Sequence, residues 1–88
     1  MAEKKFFGGG QLKYSCTRRN YKIVRRSARQ AEAKTDCDLQ IRCLGKVLGI
    51  NFLCSSGKAF EKAGDLFFGL LDRARAEGEL AGKKKRRR

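Results

Sequence analysis

Apolar and polar residues alternate along three stretches of the chain, at residues 11–17, 37–44 and 47–54. Alternation with a period of two is typical of a β-strand that buries one of its faces. A Gly-Lys pair separates the second stretch from the third, which predicts that these two form a hairpin. The pattern therefore predicts a small antiparallel sheet of three to four strands.

The pattern changes to helical periodicity after a Ser-Ser-Gly break, in which Ser55 is the candidate N-cap. Apolar residues then recur every three or four positions as far as Glu77, and glycines at 78 and 82 end the pattern. This spacing predicts a helix over residues 58–77. Strands and helix together predict an α+β fold, in which a long C-terminal helix packs on one face of the sheet.

The apolar stripe of this helix is wider than one face of a sheet needs. The excess indicates either a bulky core or a contact with another protein, such as a second subunit or a second copy of the chain. The candidate residues for that contact are Phe60, Phe67 and Leu71.

Residues 18–35 admit two interpretations. As a strand, the segment would turn Tyr21 and Ile23 inward. As a helix, it would begin at an Asn20 N-cap, and residues 28–34 are rich in helix-forming residues. The prediction is a short strand or turn through Val24, followed by a helix or a mobile basic loop.

The net charge of +13 is concentrated in two parts of the chain. Nine cations and no acid lie between Lys4 and Arg29, and residues 83–88 are all cationic. Seven basic residues face eight acidic ones in residues 30–82. Cations that cluster in this way indicate a polyanionic partner, and nucleic acid is the favoured one.

The candidate phosphate contacts fall in two groups. The first group is Lys13, Arg18, Arg19, Lys22, Arg25, Arg26 and Arg29. The second, accessory group is Lys83, Lys84, Lys85, Arg86, Arg87 and Arg88. Five of the first seven are Arg, whose planar fork suits phosphates and exposed bases, so structured RNA is favoured over DNA. Tyr14 and Tyr21 lie among them and could stack on bases, although core packing is the favoured interpretation for Tyr14. The second group reads equally well as a nuclear-import signal.

Catalytic and metal-binding patterns are not found in the sequence. The chain contains no His, so a histidine base is excluded, and we predict no enzyme activity, no cofactor and no metal. The four cysteines lack the close C-x2-C pairs of zinc sites. Disulfides and zinc are alternatives, but the cysteines share strand faces with apolar residues, which favours buried thiols. These positions are Cys16, Cys37, Cys43 and Cys54.

The expected organisation is a flexible basic arm over residues 1–10, a single small RNA-binding domain over 11–82 and a polybasic tail over 83–88. No apolar run approaches the length of a membrane span, and the first residues lack the apolar core of a secretory signal. We therefore expect an intracellular, cytoplasmic protein without a membrane partner, and a nuclear one if the tail acts as an import signal.

The second half of the chain resembles the Alu-domain RNA-binding proteins of the signal recognition particle. The resemblance is carried by Gly45-Lys46, by residues 50–56, by Leu70-Leu71 and by the cationic end. It implies an αβββα fold that dimerises and presents a basic sheet surface to RNA, with residues 18–34 as a basic loop. A small ribosomal protein with a similar hairpin and helix would fit nearly as well.

Charge and resemblance together predict a non-catalytic RNA-binding subunit of a ribonucleoprotein, either ribosomal or similar to the signal recognition particle. One alternative is a viral or chromatin-type DNA-packaging protein. The other is a protein-interaction subunit that acts through the apolar face of its helix.

Overall fold

The computed structural model describes residues 5–80, which contain three strands and two helices. In chain order these are β1 (Lys5–Ser15), α1 (Arg18–Lys34), β2 (Cys37–Leu44), β3 (Val47–Cys54) and α2 (Gly57–Ala76). The predicted α+β class and antiparallel sheet are confirmed. The β-α-β-β-α order differs from the αβββα order that the resemblance implies.

The sheet has the order β1-β3-β2, so β3 is the central strand and pairs antiparallel with both neighbours. The predicted hairpin of β2 and β3 is present, with Gly45 and Lys46 at its turn. The register of β1 against β3 shifts twice, between Phe6 and Gly8 and between Gln11 and Ser15. These shifts interrupt the ladder between the outer strand and β3.

The flexible arm expected over residues 1–10 is wrong for residues 5–10, which form the first half of β1. Three consecutive glycines argue against a strand by propensity. Here Gly8, Gly9 and Gly10 nevertheless pair with residues 50–52 of the central strand, because tertiary pairing outweighs the local preference. Residues 1–4 lie outside the described residues.

Helix α1 begins at Arg18, so the short strand or turn expected through Val24 is wrong. Its N-cap is Thr17 rather than Asn20, and the Thr17 Oγ1 accepts a hydrogen bond from the Asn20 backbone N–H at 3.1 Å. The buried Asn20 side chain donates in turn to the Ser15 carbonyl at 3.0 Å. These two bonds fix the first turn of α1 to the end of β1.

Both helices contribute to one hydrophobic core with the sheet. The buried side of α1 presents Val24, Ala28 and Ala31. On α2, Phe67 and Leu71 are fully buried, and the Phe67 ring meets Phe52 of β3 edge to face at 5.9 Å. The whole core cluster consists of Leu12, Tyr14, Val24, Ala28, Ala31, Cys37, Leu39, Leu48, Ile50, Phe52, Cys54, Ala63, Phe67, Leu71, Ala74 and Leu80.

Helix α2 is capped at both ends. Its N-cap is Ser56 rather than the expected Ser55, and the Ser56 Oγ accepts from the Ala59 backbone N–H at 3.1 Å. At the other end Gly78 adopts a φ of 79°. The Gly78 N–H bonds to the Arg75 carbonyl and the Glu79 N–H to the Ala74 carbonyl, which together form a Schellman motif.

The cysteines form two disulfides, so the prediction of buried thiols is wrong. Cys37 and Cys54 face each other directly across β2 and β3, with 4.0 Å between their Cα atoms. Cys16 follows the end of β1 and joins Cys43 of β2, with 5.7 Å between their Cα atoms. The strand alternation placed all four cysteines on the inner face, but Cys43 is exposed and Cys16 is half-buried, and the alternation did not reveal which cysteines pair.

Candidate nucleic-acid interface

Four cations form a stripe along the outer side of α1. Arg18, Lys22, Arg25 and Arg29 follow one another at intervals of four, three and four residues, which places them on one face of a helix. All four are exposed, and the core-facing residues lie on the opposite side. We call this set the α1 stripe.

The stripe is not neutralised by the rest of the fold. Within residues 5–80, none of its four side chains makes a hydrogen bond or an ion pair. Its helix carries seven cations and a single carboxylate, and its first turn holds two Arg and no acid. The dipole of a helix favours acids at this end, so the arrangement is locally unfavourable. Local conflicts of this kind are expected at functional surfaces.

Arg19 and Arg26, which the sequence placed in the same cluster, have structural partners. The Arg19 guanidinium donates to the Gly78 carbonyl at 3.2 Å, at the C-terminal end of α2, where a cation is favourable. Arg26 pairs with the Glu79 carboxylate at 2.8 Å. Both contacts join α1 to the end of α2. Arg19 and Arg26 therefore have partners within residues 5–80, which the residues of the α1 stripe lack.

The structure does not bring Lys13 to the α1 stripe. Lys13 is exposed on β1, where it lines a groove together with Phe68 and Arg75 of α2. Helix α1 packs instead on α2 and on β2, which is the opposite edge strand of the sheet. The six cations at residues 83–88 lie outside the described residues.

The two tyrosines differ in what they can contact. Tyr14 is buried in the core, so its ring is not available to a base. Tyr21 is half-buried and lines a shallow depression on the outer side of α1. The other residues of this depression are Lys22, Arg25, Arg26 and Arg29.

The apolar partner surface expected on α2 is wrong for two of its three residues. Phe67 and Leu71 are fully buried in the core of the chain itself. Phe60 is half-buried and stacks on Phe7, with 5.9 Å between ring centroids. On α2 the exposed large apolar side chain is Phe68, at 44% exposure.

Sequence reasoning missed the role of Glu32, the one carboxylate of α1. Its Oε2 accepts a hydrogen bond of 2.7 Å from the backbone N–H of Leu39, on the outer edge of β2. This contact places a fixed carboxylate next to Arg25 and Arg29, with which Glu32 lines a cavity. A lone acid in an otherwise basic helix was the signal that could have drawn attention to it.

Other kinds of site are not indicated in the described residues. No group of three or more cysteines, aspartates or glutamates in residues 5–80 is placed to hold a metal ion. Neither helix of this part of the chain combines the length and apolar character needed to cross a bilayer.

Comparison of the chain with protein-family models, with curated proteins and with solved structures finds no match. Any function must therefore be inferred from the residues and geometry described above.

Proposed function

We propose that this chain binds structured RNA as a non-catalytic subunit of a ribonucleoprotein. The observation that supports the proposal is the α1 stripe, with four exposed cations that find no partner within residues 5–80. Phosphates of a nucleic acid would supply the missing counter-charge and release condensed ions on binding. Three of the four are Arg, which can hold a phosphate through two parallel hydrogen bonds.

The rest of the fold supports this use of α1. Val24, Ala28 and Ala31 pack α1 into the core, and Arg19 and Arg26 also contact the end of α2, so the outer side of the helix is presented in a fixed position. In this proposal α2 is the long C-terminal helix that backs the sheet. A rigid helix with cations on one face positions them without the entropy cost of ordering a loop.

The test is binding to a folded RNA, to the same RNA unfolded and to duplex DNA, each over a series of salt concentrations. The stripe variant replaces four cations by Gln, which keeps helix propensity close to that of Arg and Lys. Its substitutions are Arg18→Gln, Lys22→Gln, Arg25→Gln and Arg29→Gln. A matched control removes the same charge from exposed positions of α2. The control substitutions are Lys58→Gln, Lys62→Gln, Arg73→Gln and Arg75→Gln.

We expect the wild type to prefer the folded RNA, and the stripe variant to lose at least tenfold in affinity. The slope of log affinity against log salt should become shallower by about 3, as expected for four lost phosphate contacts. The α2 control should change the affinity and the salt slope less than the stripe variant does. Equal losses in the two variants would contradict an interface on α1, and equal binding to duplex DNA would favour the DNA-packaging alternative.

A further inference from the structure

A small cavity opens between α1 and the edge strand β2, immediately beside the α1 stripe. Its volume is about 160 Å³, which is below the range of sites for drug-sized ligands and leaves room only for a small group. The lining residues are Tyr21, Arg25, Ala28, Arg29, Glu32, Leu39 and Ile41.

The lining combines three kinds of chemistry. Ala28 and Leu39 are buried at its base and expose almost no apolar surface, so the accessible lining is mainly polar, and the half-buried Tyr21 lies at its side. Arg25 and Arg29 are exposed and lie at the rim. A mainly polar lining accepts the hydrogen-bonding edge of a base, and a cationic rim accepts an attached phosphate.

Glu32 gives the cavity a hydrogen-bond acceptor whose position is fixed. Its Oε2 is held by the Leu39 N–H at 2.7 Å. Within residues 5–80, its second carboxylate oxygen accepts no hydrogen bond. A ligand that enters the cavity therefore meets a carboxylate that can accept from N–H groups on the ligand's edge.

We propose that this cavity binds a single unpaired guanine of the RNA. Guanine offers adjacent N1–H and N2–H donors to the Glu32 carboxylate, and its O6 is a preferred acceptor for Arg. Uracil offers one donor between two carbonyl oxygens, which a carboxylate would repel. The base must be unpaired, because its donor edge is used by the partner base in a duplex. The inference rests on the proposed function and names the part of the RNA that the site reads.

The shallow depression on the outer side of α1 adjoins this cavity. It shares Tyr21, Arg25 and Arg29 with the cavity and adds Lys22 and Arg26. A nucleotide whose base occupies the cavity would direct the neighbouring phosphates along the α1 stripe. The stripe then supplies affinity and the cavity supplies selection among loop sequences.

The experiment measures the affinity of the full chain for one RNA hairpin with different groups at a single loop position. The hairpins carry guanine, uracil or an abasic site there, and the stem is kept constant. We expect guanine to bind about fivefold to a hundredfold tighter than the abasic site, in line with the contribution of one bidentate contact to a base edge. Guanosine monophosphate alone is titrated as a separate arm.

Three variants test the assigned roles. Glu32→Gln should remove the preference for guanine over uracil, and the readout is the ratio of the two affinities, because loss of the carboxylate charge raises the affinity for every hairpin. Tyr21→Ala should remove the advantage of any base, and Tyr21→Phe should keep it because the ring remains. Thermal unfolding of each variant shows whether the fold is intact, and the Gln carbonyl oxygen can still accept from the Leu39 N–H.

Equal affinity of the wild type for the guanine and abasic hairpins would overturn the guanine site while leaving RNA binding by the α1 stripe in place. Absence of binding to every hairpin at low salt would overturn the proposed function and the guanine site together. Micromolar binding of guanosine monophosphate without RNA would overturn the assignment to RNA and indicate a site for free nucleotides.

Discussion

Gly9 lies where the backbones of β1 and β3 approach each other closely. A Cβ atom at this position would come within 2.5 Å of the Ile50 carbonyl oxygen and would also collide with the Asn51 side chain. The carbonyl belongs to the central strand and is fixed by its ladder, so the collision can be relieved only by moving β1. At the next position, Gly10, a Cβ would meet no atom within 4 Å.

We therefore expect Gly9→Ala to lower the free energy of unfolding by about 1–3 kcal/mol, the usual range for an overpacked site. Gly10→Ala is the matched control and should change it by well under 1 kcal/mol. Urea denaturation of the two variants measures the difference directly. Equal stability of the two would mean that β1 does not pair with β3 in the register described here.

At the scale of single residues, the chemistry of the α1 stripe could be predicted from the sequence, but the contacts of its neighbours could not. Arg19 and Arg26 look the same as Arg25 and Arg29 in the sequence. They differ because their partners, Gly78 and Glu79, lie 59 and 53 residues further along the chain. Contacts over such distances depend on the packing of α1 against α2, which no local pattern contains.

Two glycines of α2, one just past its C-terminal end and one in its interior, illustrate how the same substitution has opposite effects along one element. Gly78 follows the C-cap with a positive φ of 79°, a conformation in which any other L-residue is strained. Gly69 lies within the helix, is exposed and has open space where a Cβ would be. Glycine there weakens the helix through its conformational freedom in the unfolded chain.

Gly78→Ala should thus destabilise the protein by about 1 kcal/mol, and Gly69→Ala should stabilise it by about 0.5–1 kcal/mol. Thermal unfolding monitored by circular dichroism gives the sign of both changes. A stabilising Gly78→Ala would show that the Schellman motif is not formed in solution.

Elements with a clear strand or helix period could be predicted from the sequence. Elements whose residues have a low propensity for the structure that they form could not. Residues 37–44, 47–54 and 58–77 follow strand or helix periodicity, and each forms the expected element. The first half of β1 is rich in glycine, and α1 begins with two cations at the end of the helix dipole that favours acids. In both cases the local preference is outweighed by pairing with β3 or by the Thr17 cap and the buried Asn20.

For the molecule as a whole, the charge of α1 opposes folding. Its seven cations face one carboxylate, and the members of the α1 stripe are spaced as like-charged neighbours on a helix. Such pairs each destabilise a helix by about 0.2–0.5 kcal/mol. The ion pair of Arg26 and Glu79 offsets little of this, since its side chains are 54% and 39% exposed.

Added salt should therefore stabilise the chain. We expect the free energy of unfolding to rise by about 1 kcal/mol as salt screens the repulsion, because at about 0.1 M the screening length falls to about 10 Å. Urea denaturation at several sodium chloride concentrations tests this. The stripe variant should show a much smaller rise, and a fall in stability of the wild type with salt would contradict the expectation.

The two disulfides have a consequence for the cellular compartment in which the folded chain is stable. Disulfides persist in oxidising compartments, whereas glutathione and thioredoxin keep cytosolic thiols reduced. The pairing of Cys16 with Cys43 and of Cys37 with Cys54 thus favours an oxidising environment. Alkylation of thiols in intact cells, followed by mass spectrometry, tests this. A chain with no alkylated cysteine comes from an oxidising compartment, and a chain with four alkylated cysteines comes from a reducing one.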